Sequence, residues 1–265
     1  MGSSCARTWF RVSELTAIVL TWNEEDYIAE CLSSLKWCET VMVLDSLSTD
    51  RTVEIARQHG AKVMLRPFSS FPDQRNAALG LVETDWVFFV DADERVPPQL
   101  ASEVALATTT TEFDGYWIPT HNYQMGKLIL HAGLYPDYHL RLFRKSKGHY
   151  DPAQKVHEYV RLDGAEGYLE NPLIHVSCRT WSDFIGHQKR WARLKAEVHF
   201  DRGVKPTYHF IAGPTLEFLR RYIRLRGYRD GLHGLYLSCI FAYYYFVMYV
   251  HLGKIWAARP ENIAT

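Results

Sequence analysis

The residues best suited to chemistry sit in one short run, Asp91-Ala92-Asp93-Glu94, directly after the apolar stretch WVFFV. Two carboxylates at a spacing of two, on the turn that leaves a buried strand, can face one cation. Oxygen ligands of this kind suit Mg²⁺ or Mn²⁺, ions that bridge to substrate phosphates. Two more polar clusters also follow apolar stretches: Thr21-Trp22-Asn23-Glu24 after LTAIVL, and Asp45-Ser46-Leu47-Ser48-Thr49-Asp50 after VMVL. Asp45 can accept a hydrogen bond from a base or ribose, whereas Ser48 and Asp50 read better as caps of the next helix. A fourth cluster, Gln74-Arg75-Asn76, lies in a helical stretch before the Asp91 strand. Arg75 there can neutralise a phosphate or pack on a base; its plainer reading is a solvated helix face.

These clusters need elements that bring them to one edge. Leu15–Thr21, Val41–Asp45, Ala61–Leu65 and Trp86–Asp91 read as short strands. EEDYIAECLSSLK, DRTVEIARQHG and the stretch from Pro72 to Leu81 read as helices between them. Continuous apolar strands alternating with helices predict a parallel sheet buried on both faces. In such sheets ligands bind at the carboxyl ends of the strands, where three of the four clusters fall. After Pro97 a helix is expected to Ala107, and then GYWIPTHNYQMG and YHLRLFRK alternate as antiparallel strands do. In that reading Arg141 and Arg144 either grip phosphate or line the solvent face of a strand. From Trp181 the chain turns helical and basic.

Composition narrows the classes. The chain has 265 residues, 47% hydrophobic and 23% charged, with no net charge. That fits a globular α/β protein and disfavours a nucleic-acid binder. Five cysteines, without a CxxC pair, point to neither a zinc site nor a disulfide framework. The opening MGSSCARTWFRVSE has no apolar core of a secretory signal. No GxGxxG follows the first strand, which disfavours a dinucleotide oxidoreductase. The glycine-rich amino-terminal loop of sugar nucleotidyltransferases is missing too.

Taken in order, TWNEE, VLDSLSTDRT, DQRNAAL, DWVFFVDADE, YPDYHLRLFRK and KVHE resemble the family 2 glycosyltransferases of the lipopolysaccharide-core β-1,4-glucosyltransferase type. The resemblance runs from about Leu15 to Arg259. It implies a GT-A type fold over 12–180, followed by a helical, basic and hydrophobic extension over 181–259. It also implies an inverting, metal-dependent hexosyl transfer from a UDP-sugar to a lipid-linked saccharide acceptor. Asp45 would contact the uracil, with Thr21, Trp22, Asn23 and Glu24 lining the nucleotide pocket and Gln74 and Arg75 near base or phosphates. Asp91 and Asp93 would hold ribose and metal, Asp93 more directly. The base would be Glu158 or, second, Asp137, and His157 would complete the metal shell or bind phosphate. One departure stands out: the family usually has Gly where this chain has Leu47, and Leu is costly if that turn needs positive φ. Two alternatives share the fold: a polyprenyl-phosphate sugar transferase and a non-catalytic nucleotide-sugar-binding module.

The second half raises a membrane. Between Lys189 and Arg229 stand eleven Lys or Arg and only three acids. Pro214–Arg229 reads as a basic amphipathic helix suited to an anionic surface. Leu232–Leu252 then runs 21 residues without Asp, Glu, Lys or Arg, yet holds four Tyr between Ala242 and Tyr249. That composition favours interfacial or monotopic attachment over a buried helix, and a buried helix over a full span. With a lipid-linked acceptor, it places the protein at the cytoplasmic face of the inner membrane.

Overall fold

The computed structural model describes residues 12–153, 159–178, 180–206 and 209–258. The chain divides into two compact units, one of residues 1–120 and 137–175, the other of 121–136 and 176–265.

The first unit is built on β1 (Val12–Thr21), β2 (Cys38–Asp45), β3 (Lys62–Leu65) and β4 (Trp86–Asp91). These are parallel, in the order β3-β2-β1-β4. Register decides the function of this edge. Thr21 of β1 lies opposite Asp45 of β2, and Leu20 lies opposite Asp91 of β4, so three chemically able strand ends are level. Two antiparallel strands extend the sheet beyond β4: β8 (Tyr138–Arg144), then β6 (Gly115–Gln124).

Side chains alternate between two apolar layers, as strands covered on both faces require. Ala17, Val19, Phe88 and Val90 pack on one face with α1 (Ile28–Ser34), α2 (Thr52–Gln58) and α4 (Pro98–Ala107) through Ile28, Ala56 and Leu100. Ile18, Leu44, Val87 and Phe89 pack on the other with Ala78 and Leu79 of α3 (Phe71–Leu81). That second face also carries Tyr150 and Val160 of the small hairpin β9 (Gly148–Tyr150) and β10 (Val160–Leu162). Phe88 and Phe89 are fully buried, worth roughly 1.5–3 kcal/mol each.

The second unit packs α5 (Trp181–Asp201), α6 (His209–Leu219) and α7 (Leu232–Ala257) with the turn of β6 and β7 (Lys127–Ile129). The hairpin 121–136 belongs here. Ile129 is buried with Phe184, Leu237 and Ile240, and Asp230 accepts from the backbone N–H groups of Leu130 and His131.

The expected helix Pro214–Arg229 is corrected. It starts earlier, carries Pro214 inside α6, and passes through a π turn at Arg220–Arg224 before a 3₁₀ turn at Gly227–Asp230. Arg226 at φ 55° ends it, and a Cβ on Gly227 would lie 2.8 Å from the Arg221 carbonyl oxygen. Glu217 takes hydrogen bonds from both Arg220 and Arg221.

Candidate active site

The carboxyl edge of β1, β2 and β4 is assembled by backbone-directed hydrogen bonds. Asp45 is fully buried. Its carboxylate accepts from Thr21 Oγ1 at 2.8 Å, Ser48 N at 2.8 Å and Ser48 Oγ at 2.6 Å. The two loops that leave β1 and β2 are stitched together in turn: Asn23 N donates to Ser48 Oγ, Thr49 N to Asn23 Oδ1, and Glu24 N to Thr52 Oγ1. Neither expected cap holds α2: its N-cap residue is Arg51, without a side-chain cap bond, while Asp50 accepts from Thr52 N at 2.9 Å just ahead of it and Ser48 is spent on the loop pairing. This lattice holds Asn23 at φ 57° and Leu47 at φ 63° and leaves Trp22 59% exposed at the rim. Leu47 therefore occupies the left-handed conformation that glycine would adopt without strain. Gln74 is buried and bridges this edge to α3, donating to Ser46 Oγ and accepting from Arg66.

The DxD run splits into two environments. Asp91 faces guanidinium groups: Arg141 Nη2 lies 2.7 Å from one carboxylate oxygen and Arg75 Nη2 lies 3.3 Å from the other. Arg141 Nη2 also donates to Glu94 at 2.8 Å, and Glu94 accepts from Asp91 N. Burial opposes charge on Asp91, but Arg141 and Arg75 outweigh it and hold the carboxyl below the usual carboxylate range. For Glu94 burial wins and raises the pKa. Arg141 reaches this place through a β-bulge. Tyr116 of β6 pairs with Leu142 and Trp117 with Leu140, which leaves Arg141 as the extra residue and re-aims it. Arg75 lies over the rings of Phe89 and Tyr150, at 5.1 and 5.6 Å. Both arginines thus neutralise the protein's own carboxylates, and Asp91 has no oxygen left free of them.

Asp93 meets a different partner. His175, on β12 (Leu173–Cys178), lies with Nε2 3.0 Å from Asp93 Oδ2. The antiparallel pairing of β12 with β5 (Glu94–Arg95) sets this, placing His175 opposite Glu94. Burial opposes the imidazolium, yet Asp93 and its acidic neighbours raise the His175 pKa to about 9. Glu24 is pushed up to about 7, first by burial, then by the charges of Asp93, Asp50 and Asp91. Negative charge is thus concentrated around Asp93, an oxygen donor with an imidazole nitrogen beside it. That donor set fits a divalent cation of the manganese kind better than magnesium, which favours oxygen alone. Among the described residues no cluster of three or more His, Cys, Asp or Glu with metal-site geometry occurs, so the pair would share the ion with water or phosphate.

Asp137 lies at the start of β8 with His139 Nε2 at 3.3 Å. The His139 hydrogen bond lowers its pKa against the effect of burial, with help from the charges of Arg141 and His175. Arg144 does not join the site. It sits opposite Trp86, at the far end of β4, paired with Asp85 and Asp114 and stacked over the Trp86 ring. Its position follows from strand direction: β8 runs against β4, so only its early residues reach the Asp91 end. His157 and Glu158 lie outside the described residues. The sequence reading missed His175, since one histidine in a short strand carries no local signal.

A parallel sheet extended by antiparallel strands, with carboxylates gathered at its carboxyl edge, defines a GT-A type glycosyltransferase fold. The glycosyl transferase family 2 model matches residues 16–158. Over 257 residues the chain is 30% identical to the lipopolysaccharide core biosynthesis glycosyltransferase LpsC of Rhizobium meliloti, covering 93% of this chain and 95% of that protein. It is 26% identical over 259 residues to an uncharacterized glycosyltransferase of Rickettsia bellii, covering 91% and 86%. Among solved structures, S. aureus TarS 1-349 is similar at 16% identity and a TM-score of 0.47, over 94% of this chain and 93% of that one. The chain belongs to the family 2 glycosyltransferases.

Proposed function

We propose that this enzyme transfers a hexose, with inversion, from a UDP-sugar to a lipid-linked saccharide of the lipopolysaccharide core, using Mn²⁺ or Mg²⁺. The observation that carries the reading is the Asp93–His175 pair. It sits at the carboxyl edge of the sheet, beside a DxD aspartate that Arg141 and Arg75 already neutralise. Among the described residues Asp93 is the one carboxylate of the run that no arginine holds, so the position can accept a cation. A bound divalent ion would offset the charge of the departing diphosphate. Asp93 and His175 would hold it. Trp22 and the stitched loops 22–25 and 45–50 would shape the nucleotide pocket, with Asp45 fixing the loop. The acceptor oxygen attacks the anomeric carbon, UDP leaves, and a carboxylate takes the acceptor hydroxyl proton. Glu158 and Asp137 are the candidates for that base. Loss of transfer with retained UDP binding in only one of Glu158→Gln and Asp137→Asn would identify it.

The acceptor and membrane parts rest on the LpsC similarity and on α7. That helix is long and apolar enough to cross a membrane, yet only 28% of its apolar window is buried. We read it as attaching the enzyme to the cytoplasmic face of the inner membrane. Failure to sediment with phosphatidylglycerol vesicles would remove that part. The polyprenyl-phosphate alternative drew on the arginine cluster, of which Arg220 and Arg221 are committed to Glu217. The test of the core reading is calorimetric binding of UDP with and without Mn²⁺, for wild type and Asp93→Asn. Metal-dependent binding lost in the variant supports it. UDP binding indifferent to both metal and variant overturns the metal site.

A further inference from the structure

Tyr168 is 65% exposed and Tyr138 39% exposed, yet neither ring is loose. Tyr168, on β11 (Glu166–Tyr168), stacks on Trp117 of β6 with centroids 6.4 Å apart and an interplanar angle of 17°. Tyr138, at the start of β8, meets Tyr168 edge to face at 5.4 Å. Trp117 Nε1 donates to Glu166 Oε2 at 2.8 Å, which fixes the indole. Register explains the grouping. β6 pairs with β8 along one edge and with β11 along the other, with Tyr138 opposite Pro119 and Tyr168 opposite Trp117. Three strands therefore contribute to one aromatic row. β8 runs against β4, so its Tyr138 end is the Asp91 end of the sheet. Tyr138 directly follows Asp137, whose carboxyl feels the charges of Arg141 and His175.

Flat rings held rigid and open to water have two faces of negative potential. A pyranose offers the complement: a face of weakly positive C–H groups bordered by hydroxyls. The row has a polar border to match, in the Tyr138 and Tyr168 hydroxyls and Glu166. Little ordering remains to be done on binding, because each ring is already fixed by its neighbours.

We infer that Trp117, Tyr138 and Tyr168 form the platform on which a pyranose of the acceptor saccharide stacks, next to the active carboxylates. The inference rests on the glycosyltransferase reading above. It assigns the acceptor to the β8–β6–β11 side of the edge and the nucleotide to the β1–β2 side.

The test uses the full chain and two probes: UDP with Mn²⁺, and a dephosphorylated core oligosaccharide released by mild acid from rough-type lipopolysaccharide. Both are titrated into wild type, Tyr138→Ala/Tyr168→Ala and Tyr138→Phe/Tyr168→Phe. The expected result is oligosaccharide affinity at least tenfold weaker in the alanine pair and within about threefold of wild type in the phenylalanine pair, because the rings persist. UDP affinity stays within twofold throughout, which also shows that the variants are folded. Oligosaccharide affinity unchanged in the alanine pair overturns the platform. So does a wild type that binds UDP but not the oligosaccharide, or an alanine pair that loses UDP, which would assign the rings to the nucleotide. Wild type that binds oligosaccharide but not UDP sinks the transferase reading and leaves the platform standing.

Discussion

Removing Arg141 should uncover a buried acid whose cost depends on pH in a calculable way. Its Nη2 is shared between Asp91 at 2.7 Å and Glu94 at 2.8 Å. In Arg141→Met, Asp91 keeps Arg75 and stays partly open to solvent, whereas the Glu94 side chain is 3% exposed and keeps only the charge of His175, with no other ion pair among the described residues. Glu94 then has two options, a buried unpaired charge or protonation. Protonation caps the cost. For a carboxyl with an unfolded pKa of about 4.3, full protonation at pH 7 costs at most about 4 kcal/mol, at about 1.4 kcal/mol per unit. The sign follows from the direction of the shift. A carboxyl whose folded pKa is raised binds its proton more tightly in the native state, so its penalty grows as pH climbs above the unfolded value. Wild type already leans that way, since burial raises Glu94. In the variant that ceiling falls to under about 2 kcal/mol at pH 5.5, so the deficit relative to wild type shrinks there by at most about 2 kcal/mol. Urea unfolding followed by circular dichroism at pH 7 and 5.5 measures it, and Arg141→Met/Glu94→Gln should lose the pH dependence. A variant equally destabilised at both pH values, or by less than about 1 kcal/mol at pH 7, would refute a buried Glu94 that depends on Arg141.

Two other expectations follow from backbone and charge. Leu47→Gly should stabilise the protein by about 0.5–1 kcal/mol: it relieves a left-handed leucine worth about 1–2 kcal/mol and gives back part of that in chain entropy. A lower Tm in Leu47→Gly would mean that the exposed leucine side chain contributes more than its backbone costs. His175, with its pKa raised to about 9, should stabilise the metal-free protein by up to about 3 kcal/mol. That contribution is complete below about pH 6.5 and fades as pH rises through 9. The Tm gap between wild type and His175→Gln should therefore close between pH 6.5 and 9.5, and parallel Tm curves would show that His175 is not held protonated.

What the sequence disclosed depended on whether the signal was local. β1, β2 and β4 are continuous apolar runs because both faces of the sheet are covered, and each ends in the polar residue that marks its carboxyl edge. Leu47 stood out only against the glycine of the resembled family, and its φ of 63° is the conformation that would favour one. Arg141 and Arg144 looked equivalent in YHLRLFRK, three residues apart, but a bulge sends the first to Asp91 while strand direction carries the second to Trp86. His175 was illegible because its partner lies 82 residues away and the contact depends on the pairing of a two-residue strand. Helix signals failed at Pro214, where i→i−4 bonding would place the break; the chain instead absorbs it and breaks at the Arg220–Asp230 turns.

On the proposed reading the two aspartates of the DxD run divide one task. A site that binds a cation and a diphosphate needs negative charge that is open to the ion, and it must not repel the phosphates once the ion is bound. Three carboxylates within four residues would fail the second requirement if all stood unpaired. Arg75 and Arg141 neutralise Asp91, and Arg141 also binds Glu94, which makes these two acids a rigid support for the turn. Asp93 alone is turned towards a titratable cation, His175. A protonated imidazole can give up its place to a metal by losing one proton, whereas a guanidinium cannot. On the proposed reading, histidine at Asp93 and arginine at Asp91 would distinguish an exchangeable position from a permanent one within a single turn of chain.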